Sequence, residues 1–386
     1  MSQINNVQIE FLLDPERQRL ASKYTKLSRR LSLAELLIIG TLLPVLILSG
    51  VSVRLSQLLT IPQPWASALY FIILVMGLGI IMMPLSYYQS FILTCRYGLS
   101  NQKFSSWLAD RAKATSLSIL LGLGIVILIY WLLESFPSFW WFPAGLSIIT
   151  VSLLLTRLTP TLLLSFFFKL EPVDDIDPKN KLMNLAKQAR TRAYDVFTIN
   201  LSGKSTTTNA MLAGLSNSKR IIPSDTMLQQ YSPEEIEVVM AHELGHHIHR
   251  DIPKLIAAQS TITLLSFFFA NLTLKTNLAA SVFYGVSDVT AFPLLILVLA
   301  AIGLITIPLI NIYSRSLETA VAIAALELTA KPEAFISAIT KLTDKNLSDA
   351  QPNRWAELLL HDHPFYFKRV NLAYNYLKKP VGETIG

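Results

Sequence analysis

The sequence predicts a mainly α, polytopic helical membrane protein with about six transmembrane helices and one polar α+β region. The 386 residues are 52% hydrophobic and only 15% charged, with a mean hydropathy of +0.45, whereas soluble domains carry about 25% charge. Six apolar runs reach the roughly 20 residues that a helix needs to cross a bilayer. A polar stretch, residues 169–254, separates the fourth run from the fifth.

The apolar runs predict spans at about residues 31–51, 65–85, 115–133, 140–164, 255–274 and 292–312. Arg157 lies inside the fourth of them. Either this charge lies in mid-membrane, where it would be expensive and functional, or the span ends near Thr156 and the side chain reaches the interface. The second interpretation is favoured, because residues 140–156 nearly cross a bilayer at about 1.5 Å per residue.

Basic residues before the first span and between the second and third predict the orientation. Lys and Arg accumulate in cytoplasmic loops, so the N-terminus and the polar stretch 169–254 are expected in the cytoplasm. The last two spans form a hairpin, which returns the chain to the same face. The basic residues concerned are Arg17, Arg19, Lys23, Lys26, Arg29 and Arg30, followed by Arg96, Lys103, Arg111 and Lys113.

The polar stretch contains the motif His242-Glu243-Leu244-Gly245-His246. Two imidazoles four residues apart share one helix face and can hold one zinc ion, and the glutamate between them is placed as a general base. The sequence also indicates where the helix starts, because Ser232 is a good N-cap, Pro233 suits the first helical position and Glu235 completes a capping box. We therefore predict a helix from Pro233 to about His249.

A third zinc ligand must come from elsewhere, because catalytic zinc takes three protein ligands. The pattern H-E-x-x-H-x-x-G-x-x-H is excluded, since His249 and Ile252 stand where it requires Gly and His. A downstream glutamate is the other common solution. Glu318 follows the sixth span by one or two turns, on the membrane face that holds His242, and is our choice ahead of Glu327.

Several segments resemble the family of membrane zinc metallopeptidases that includes the CAAX prenyl endopeptidase and the HtpX-type bacterial proteases. The resemblance covers roughly residues 195–370, and its combination of motifs is specific. It is carried by residues 241–246 for the zinc motif, residues 311–318 for an N-x-x-S-R-x-x-E segment, residues 205–221 for a substrate-binding edge strand, and His363-Pro364 with Arg369 for a C-terminal H-P-x-x-x-x-R.

The resemblance implies a cytoplasmic zincin-like metallopeptidase domain with one Zn2+ per chain. His242, His246 and Glu318 would be the ligands and Glu243 the base. His363 would also be catalytic, by contacting substrate or stabilising the oxyanion.

The resemblance also implies where substrate binds. Asn209 and Ala210 are expected to bind an extended substrate by strand addition, with Arg369 near His363. The expected partners are a peptide or protein substrate, with prenylated and membrane-embedded chains both open, and the lipid bilayer. We expect no nucleic acid, because no such motif is present.

Two departures from the family pattern stand out. The family continues E-x-x-A-D from its third ligand, but Val321 and Ala322 occupy the last two positions here. Loss of a carboxylate that orients a ligand typically lowers metal affinity or activity roughly 10–100-fold, so either zinc binding is weakened or Asp251 substitutes. The CAAX prenyl endopeptidase also has seven spans, whereas six are predicted here.

The sequence thus predicts a zinc-dependent membrane endopeptidase whose active site lies at the cytoplasmic face. A non-catalytic zinc-bound scaffold is one alternative, supported only by Ala322. A site-2-type intramembrane protease is another, but it would need the zinc motif within an apolar span. The predicted division is 1–168 with four transmembrane helices, 169–252 as catalytic segment, 253–313 as hairpin and 314–386 with the third ligand.

Overall fold

The computed structural model describes residues 12–378, apart from 174, 192, 194, 215–218, 277–282, 284 and 286. Six helices among these residues are long and apolar enough to cross a membrane. The first half of the chain contains α1 (Pro15–Leu48), α2 (Val51–Leu58), α3 (Trp65–Tyr87), a π-helical turn (Tyr88–Ile92), α4 (Leu93–Arg96), α5 (Phe104–Ser135), α6 (Trp141–Leu158), a second π-helical turn (Thr159–Leu163) and α7 (Leu164–Phe167).

The remaining elements alternate strands with helices before the last two long helices. They are β1 (Leu170–Pro172), α8 (Ile176–Gln188), β2 (Asp195–Ile199), β3 (Ala210–Ala213), β4 (Arg220–Pro223), α9 (Asp225–Gln230), α10 (Pro233–Ile248), α11 (Asp251–Leu274), a 3-10 turn (Val289–Ala291), α12 (Phe292–Thr329), α13 (Pro332–Lys345), α14 (Arg354–Leu360) and α15 (Tyr366–Leu377). The predicted fold class, mainly α with a small α+β region, is confirmed.

The long helices extend beyond the predicted spans. Helix α1 begins at Pro15, behind an Asp14 N-cap whose carboxylate accepts hydrogen bonds from the next helical amides. Helix α12 continues through the predicted boundary at residue 313 as one 38-residue helix. Hydropathy marks only the part of a helix that lies in the bilayer, so polar turns at either end escape it. Arg157 lies in the last turn of α6, and the π-helical turn Thr159–Leu163 follows directly.

The sheet has the order β1-β2-β4-β3. Strands β2 and β4 are parallel, while β1 pairs antiparallel with β2 and β3 pairs antiparallel with β4. Strand β3 is therefore an edge of the sheet, and its Ala210 lies opposite Pro223. The unpaired side of β3 is available to a further strand.

Helix α10, which carries the zinc motif, begins as the sequence predicts. The Ser232 side chain accepts a hydrogen bond from the Glu235 amide, and the Glu235 carboxylate accepts one from the Ser232 amide, with Pro233 at the first position. The capping box is complete, and the helix ends at Ile248 with His249 as its C-cap. Both histidines of the motif therefore lie within a well-defined helix.

Helices α10 and α12 approach closely at Gly245. A Cβ atom at this position would lie 2.9 Å from Val321 Cγ1 and 3.4 Å from the Val321 carbonyl oxygen, closer than a side chain tolerates. The absence of a side chain at Gly245 lets the helices meet there. One turn earlier on each helix lie His242 and Glu318, and this contact brings them together.

Candidate active site

The two motif histidines and Glu318 form one cluster of donor atoms. His242 Nε2 lies 3.1 Å from Glu318 Oε2, and His246 Nε2 lies 3.3 Å from Glu318 Oε1. One donor atom from each of the three residues lies within 4.8 Å of the others. Helix α10 supplies two of the donors and helix α12 the third, 76 residues beyond His242.

The donor set fits zinc in spacing and in charge. A tetrahedral zinc ion with ligands at about 2.0–2.1 Å separates its donor atoms by about 3.3 Å. Burial lowers the pKa of His242 to about 4, so its imidazole is neutral, as a metal ligand must be. Burial opposes a charge on His246, but the Glu318 carboxylate outweighs it and raises the pKa of His246 to about 8. Zinc binding at this cluster would therefore release a proton from His246.

Asp251 contacts the far side of the His246 ring. Its Oδ2 lies 3.1 Å from His246 Nδ1, and its Oδ1 accepts a hydrogen bond of 3.1 Å from Lys254. Arg250, in the left-handed conformation at φ 53°, turns the chain between α10 and α11 and folds Asp251 back. A carboxylate in this place fixes the orientation of a ligating histidine.

Ala322 is buried at 1% exposure within the apolar core, so the family's carboxylate has no counterpart at this position. Asp251, also 1% exposed, supplies a carboxylate to the ligand set from α11 instead. This contact is the one that the second alternative, substitution by Asp251, requires. The second ring nitrogen of His242, Nδ1, is buried and has no hydrogen-bond partner among the described residues.

Glu243 lies next to the donor cluster and lines the same cavity as His242. Burial raises the pKa of its carboxyl group to about 7, against the opposing influence of His246, His363 and Arg369. A base that titrates near neutral pH is well matched to proton transfer from water. The structure thus places Glu243 where the sequence predicted the general base.

The C-terminal residues predicted from the resemblance also reach the cluster. His363 Nε2 lies 3.2 Å from Glu318 Oε1, and its Nδ1 lies 2.8 Å from Asp362, whose carboxylate raises the pKa of His363. Arg369 lies on α15 and lines the same cavity. Burial lowers its pKa, while the carboxylates of Glu318 and Glu243 raise it. Both residues thus line the cavity that contains His242 and Glu243.

Asn209 and Ala210 lie at the start of the edge strand. The Asn209 amide donates to Ser224 Oγ at 3.1 Å, and its carbonyl accepts from the Ser224 amide at 2.9 Å. The backbone of Asn209 is therefore already paired, and only its side chain remains for substrate. That side chain accepts a hydrogen bond from the Ala210 amide at 2.9 Å, on the open edge of β3.

The cavity around these residues measures about 570 Å3. Sequence reasoning missed two of its walls. One is the apolar face of α13, whose spacing of three and four residues is typical of a buried helix face and could have been noticed. The other is α1, whose contribution no pattern in the sequence indicates. These walls contribute Phe335, Ala338, Ile339 and Leu342, and Tyr24 and Thr25, respectively.

Two family models match the chain. "CAAX prenyl protease N-terminal, five membrane helices" matches residues 7–169, and "Peptidase family M48" matches residues 176–376. The first describes five membrane helices, whereas four candidate spans lie in this range among the described residues. The second covers the donor cluster, Glu243, Asp251 and the C-terminal residues His363 and Arg369.

Individual relatives agree with these matches. The metalloprotease YhfN of Bacillus subtilis is 27% identical over 338 residues, which cover 85% of this chain and 79% of that protein. CAAX prenyl protease 1 of Saccharomyces cerevisiae is 30% identical over 187 residues, covering 48% of this chain and 41% of that protein.

A solved structure shares the fold. The crystal structure of S. mikatae Ste24p superposes with a TM-score of 0.83 at 22% identity, over 94% of this chain and 89% of that one. The peptidase model covers more than half of the 386 residues. The matched part includes helix α10 with the zinc motif and the helical turn of α12 that contains Glu318. The protein therefore belongs to peptidase family M48, as a multi-pass membrane metalloendopeptidase.

Proposed function

We propose that the protein is a zinc-dependent membrane endopeptidase in which His242, His246 and Glu318 hold one zinc ion. The observation that carries this proposal is the convergence of these three donors within 4.8 Å, on two helices that meet at Gly245. Glu243 lies in the same cavity with its pKa raised to about 7 by burial. These two observations support a common reaction centre for the proposed ligands and the proposed base.

Each group has a definite task in hydrolysis. When bound, zinc supplies a Lewis acid that polarises the scissile carbonyl and lowers the pKa of a coordinated water toward about 7. Glu243 accepts the proton of the attacking water at its carboxylate and later delivers it to the nitrogen of the leaving amine. His363 and Arg369 donate hydrogen bonds to the oxygen on which negative charge develops. Asp251 holds His246 in its ligating orientation.

Metal dependence tests this proposal. The protein purified in detergent is expected to cleave casein, to lose cleavage when 1,10-phenanthroline removes the metal, and to regain it with one equivalent of zinc per chain. Fluorescence from labelled casein measures the rate, and atomic absorption measures the zinc. Full cleavage by a preparation that contains no stoichiometric metal would contradict the proposal. Recovery with magnesium alone would also count against it, since imidazole ligands suit zinc rather than magnesium.

One observation weighs against each of the two alternatives, the non-catalytic scaffold and the intramembrane protease. The non-catalytic scaffold rested on the missing carboxylate at Ala322, and Asp251 now supplies a carboxylate to His246. The intramembrane protease needs its zinc motif in a membrane span, but α10 is not one of the six candidate spans among the described residues. We propose that the substrates are peptide or protein chains presented at the bilayer, prenylated chains among them.

We also propose that the N-terminus and the active site face the cytoplasm, as the distribution of basic residues indicates. In a Cys95→Ser background, Asn180→Cys on the exposed face of α8 should react with an impermeant maleimide only after the cells are opened. Ser138→Cys, between α5 and α6, should react in intact cells. The reverse pattern would invert the orientation without affecting the zinc site.

A further inference from the structure

A second cavity, of about 620 Å3, lies between α12, α14 and α15, apart from the candidate active site. Its volume is typical of small-molecule sites, which measure about 300–1,000 Å3. Basic side chains predominate in its lining, which consists of Arg315, Arg354, Trp355, Glu357, Leu358 and Lys368. Three cations thus accompany one carboxylate, and this excess of positive charge favours an anionic ligand.

The carboxylate of Glu357 neutralises only one of the three cations, Lys368, with which it forms an ion pair. Arg315 donates hydrogen bonds from Nη1 to the backbone carbonyl oxygens of Glu357 and His361. A guanidinium group has five N–H donors, so donors of Arg315 remain for a ligand. Arg354 is exposed and has no ion-pair partner within the described part of the chain. Two positive charges are therefore uncompensated among the residues that line the cavity.

Helix α14 lies at the level where α12 leaves the membrane. The apolar run of α12 ends at about residue 312, and the side chain of Asn311 donates a hydrogen bond of 2.9 Å to the Leu359 carbonyl oxygen. Leu309 and Ile312, on the same part of α12, are exposed apolar side chains of a membrane-spanning helix. The last turn of α14 is therefore attached beside the lipid-facing surface of α12.

Helix α14 also exposes apolar side chains beside the cavity. Trp355 is 71% exposed and Leu360 is 59% exposed, and Leu359 is exposed as well. Tryptophan concentrates at the boundary between membrane and water, and helices that combine an apolar face with basic residues lie in the plane of this boundary. The apolar side chains of α14 thus continue the lipid-facing surface of α12 as far as the cationic cavity.

We propose that this cavity binds the head group of an anionic phospholipid whose acyl chains lie along Ile312, Leu359 and Leu360. The site is amphipathic in the way that such a lipid is, because uncompensated cations line the cavity and exposed apolar side chains adjoin it at the membrane surface. A free phosphate compound would contact the cations alone and leave the apolar side chains in water. The proposal concerns a site apart from the zinc ligands and does not depend on the proposed peptidase function.

The fluorescence of Trp355 can report which lipid lies beside the cavity, because bromine atoms on an acyl chain quench an indole that they contact. The full-length protein is reconstituted into phosphatidylcholine bilayers with a minor share of brominated lipid, either phosphatidylserine or phosphatidylcholine in equal amount. The chain has 6 tryptophans, so the Trp355 signal is the difference between the wild type and Trp355→Phe. Brominated phosphatidylserine should quench this signal more strongly, with roughly fivefold local enrichment for each cation that contacts it.

Arg354→Gln combined with Lys368→Gln removes two cations of the cavity and should lower the enrichment by about tenfold or more. Arg19→Gln combined with Lys23→Gln is the matched control, because it removes two exposed cations of α1 that do not line the cavity. This control should retain the wild-type enrichment. Equal quenching of Trp355 by the two brominated lipids, or none by either, would overturn the proposal, as would an enrichment that survives in the cavity variant.

A soluble competitor separates a membrane lipid from a free anion. Glycerophosphoserine, the water-soluble head group, should leave the enrichment unchanged when it is added at the concentration of the brominated lipid. If it abolishes the enrichment, the acyl chains contribute nothing to binding, and a membrane lipid is the wrong ligand.

Discussion

Replacing Glu243 with alanine is expected to remove peptide cleavage and leave the metal in place. The cluster of potential zinc ligands consists of His242, His246 and Glu318 and does not include Glu243. Zinc binding should therefore persist in the variant. Cleavage should fall about 10²–10⁴-fold, the usual contribution of a positioned general base. Casein hydrolysis and zinc content, measured on the same purified sample, check both halves of the expectation.

Glu234→Ala provides the matched control, because it removes an exposed glutamate from the first turn of the same helix. This variant should retain both zinc and cleavage. If a clean Glu243→Ala preparation cleaves casein at the wild-type rate, the assignment of the base is wrong. If the variant loses zinc as well as activity, Glu243 belongs to the ligand set or to its support, and the proposed division of roles fails.

The part of the site that is local in sequence could be predicted from sequence alone. Spacing places His242 and His246 on one face of a helix, and the Ser232 cap and Pro233 fix where that helix starts. Glu318 is distant in sequence, but the membrane hairpin restricts which carboxylates can reach the same face. Topology and the resemblance together selected it. The structure brings these residues together, and their roles as ligands remain predictions.

The supporting residues were harder to predict, because tertiary contacts decide them. The sequence indicated Asp251 only as an alternative, because the contact of its carboxylate with His246 depends on the left-handed turn at Arg250. Asn311 donates a hydrogen bond to Leu359, 48 residues further along the chain, and no periodicity connects the two. The contribution of α1 to the active-site cavity is hidden for another reason. The first turns of α1 are polar, which is typical of a solvent-exposed N-terminal segment. In the structure they belong to a helix that packs beside the site.

Replacing Glu318 with alanine is expected to abolish both zinc binding and cleavage. Glu318 is 4% exposed and contacts the imidazoles of His242, His246 and His363. Without it two protein ligands remain, fewer than the three that catalytic zinc sites use. Zinc content after dialysis and casein hydrolysis should therefore fall together, and a modest excess of zinc should restore neither.

Two further variants separate a ligand from its neighbours. Asp251→Asn keeps all three ligands and removes only the carboxylate behind His246, so zinc affinity should fall about 10–100-fold and excess zinc should restore cleavage. Glu327→Ala, an exposed glutamate further along the same helix, should match the wild type. If Glu318→Ala retains one zinc ion per chain while Glu327→Ala loses it, the third ligand is misassigned. If excess zinc rescues Glu318→Ala as readily as Asp251→Asn, Glu318 supports the site without completing it.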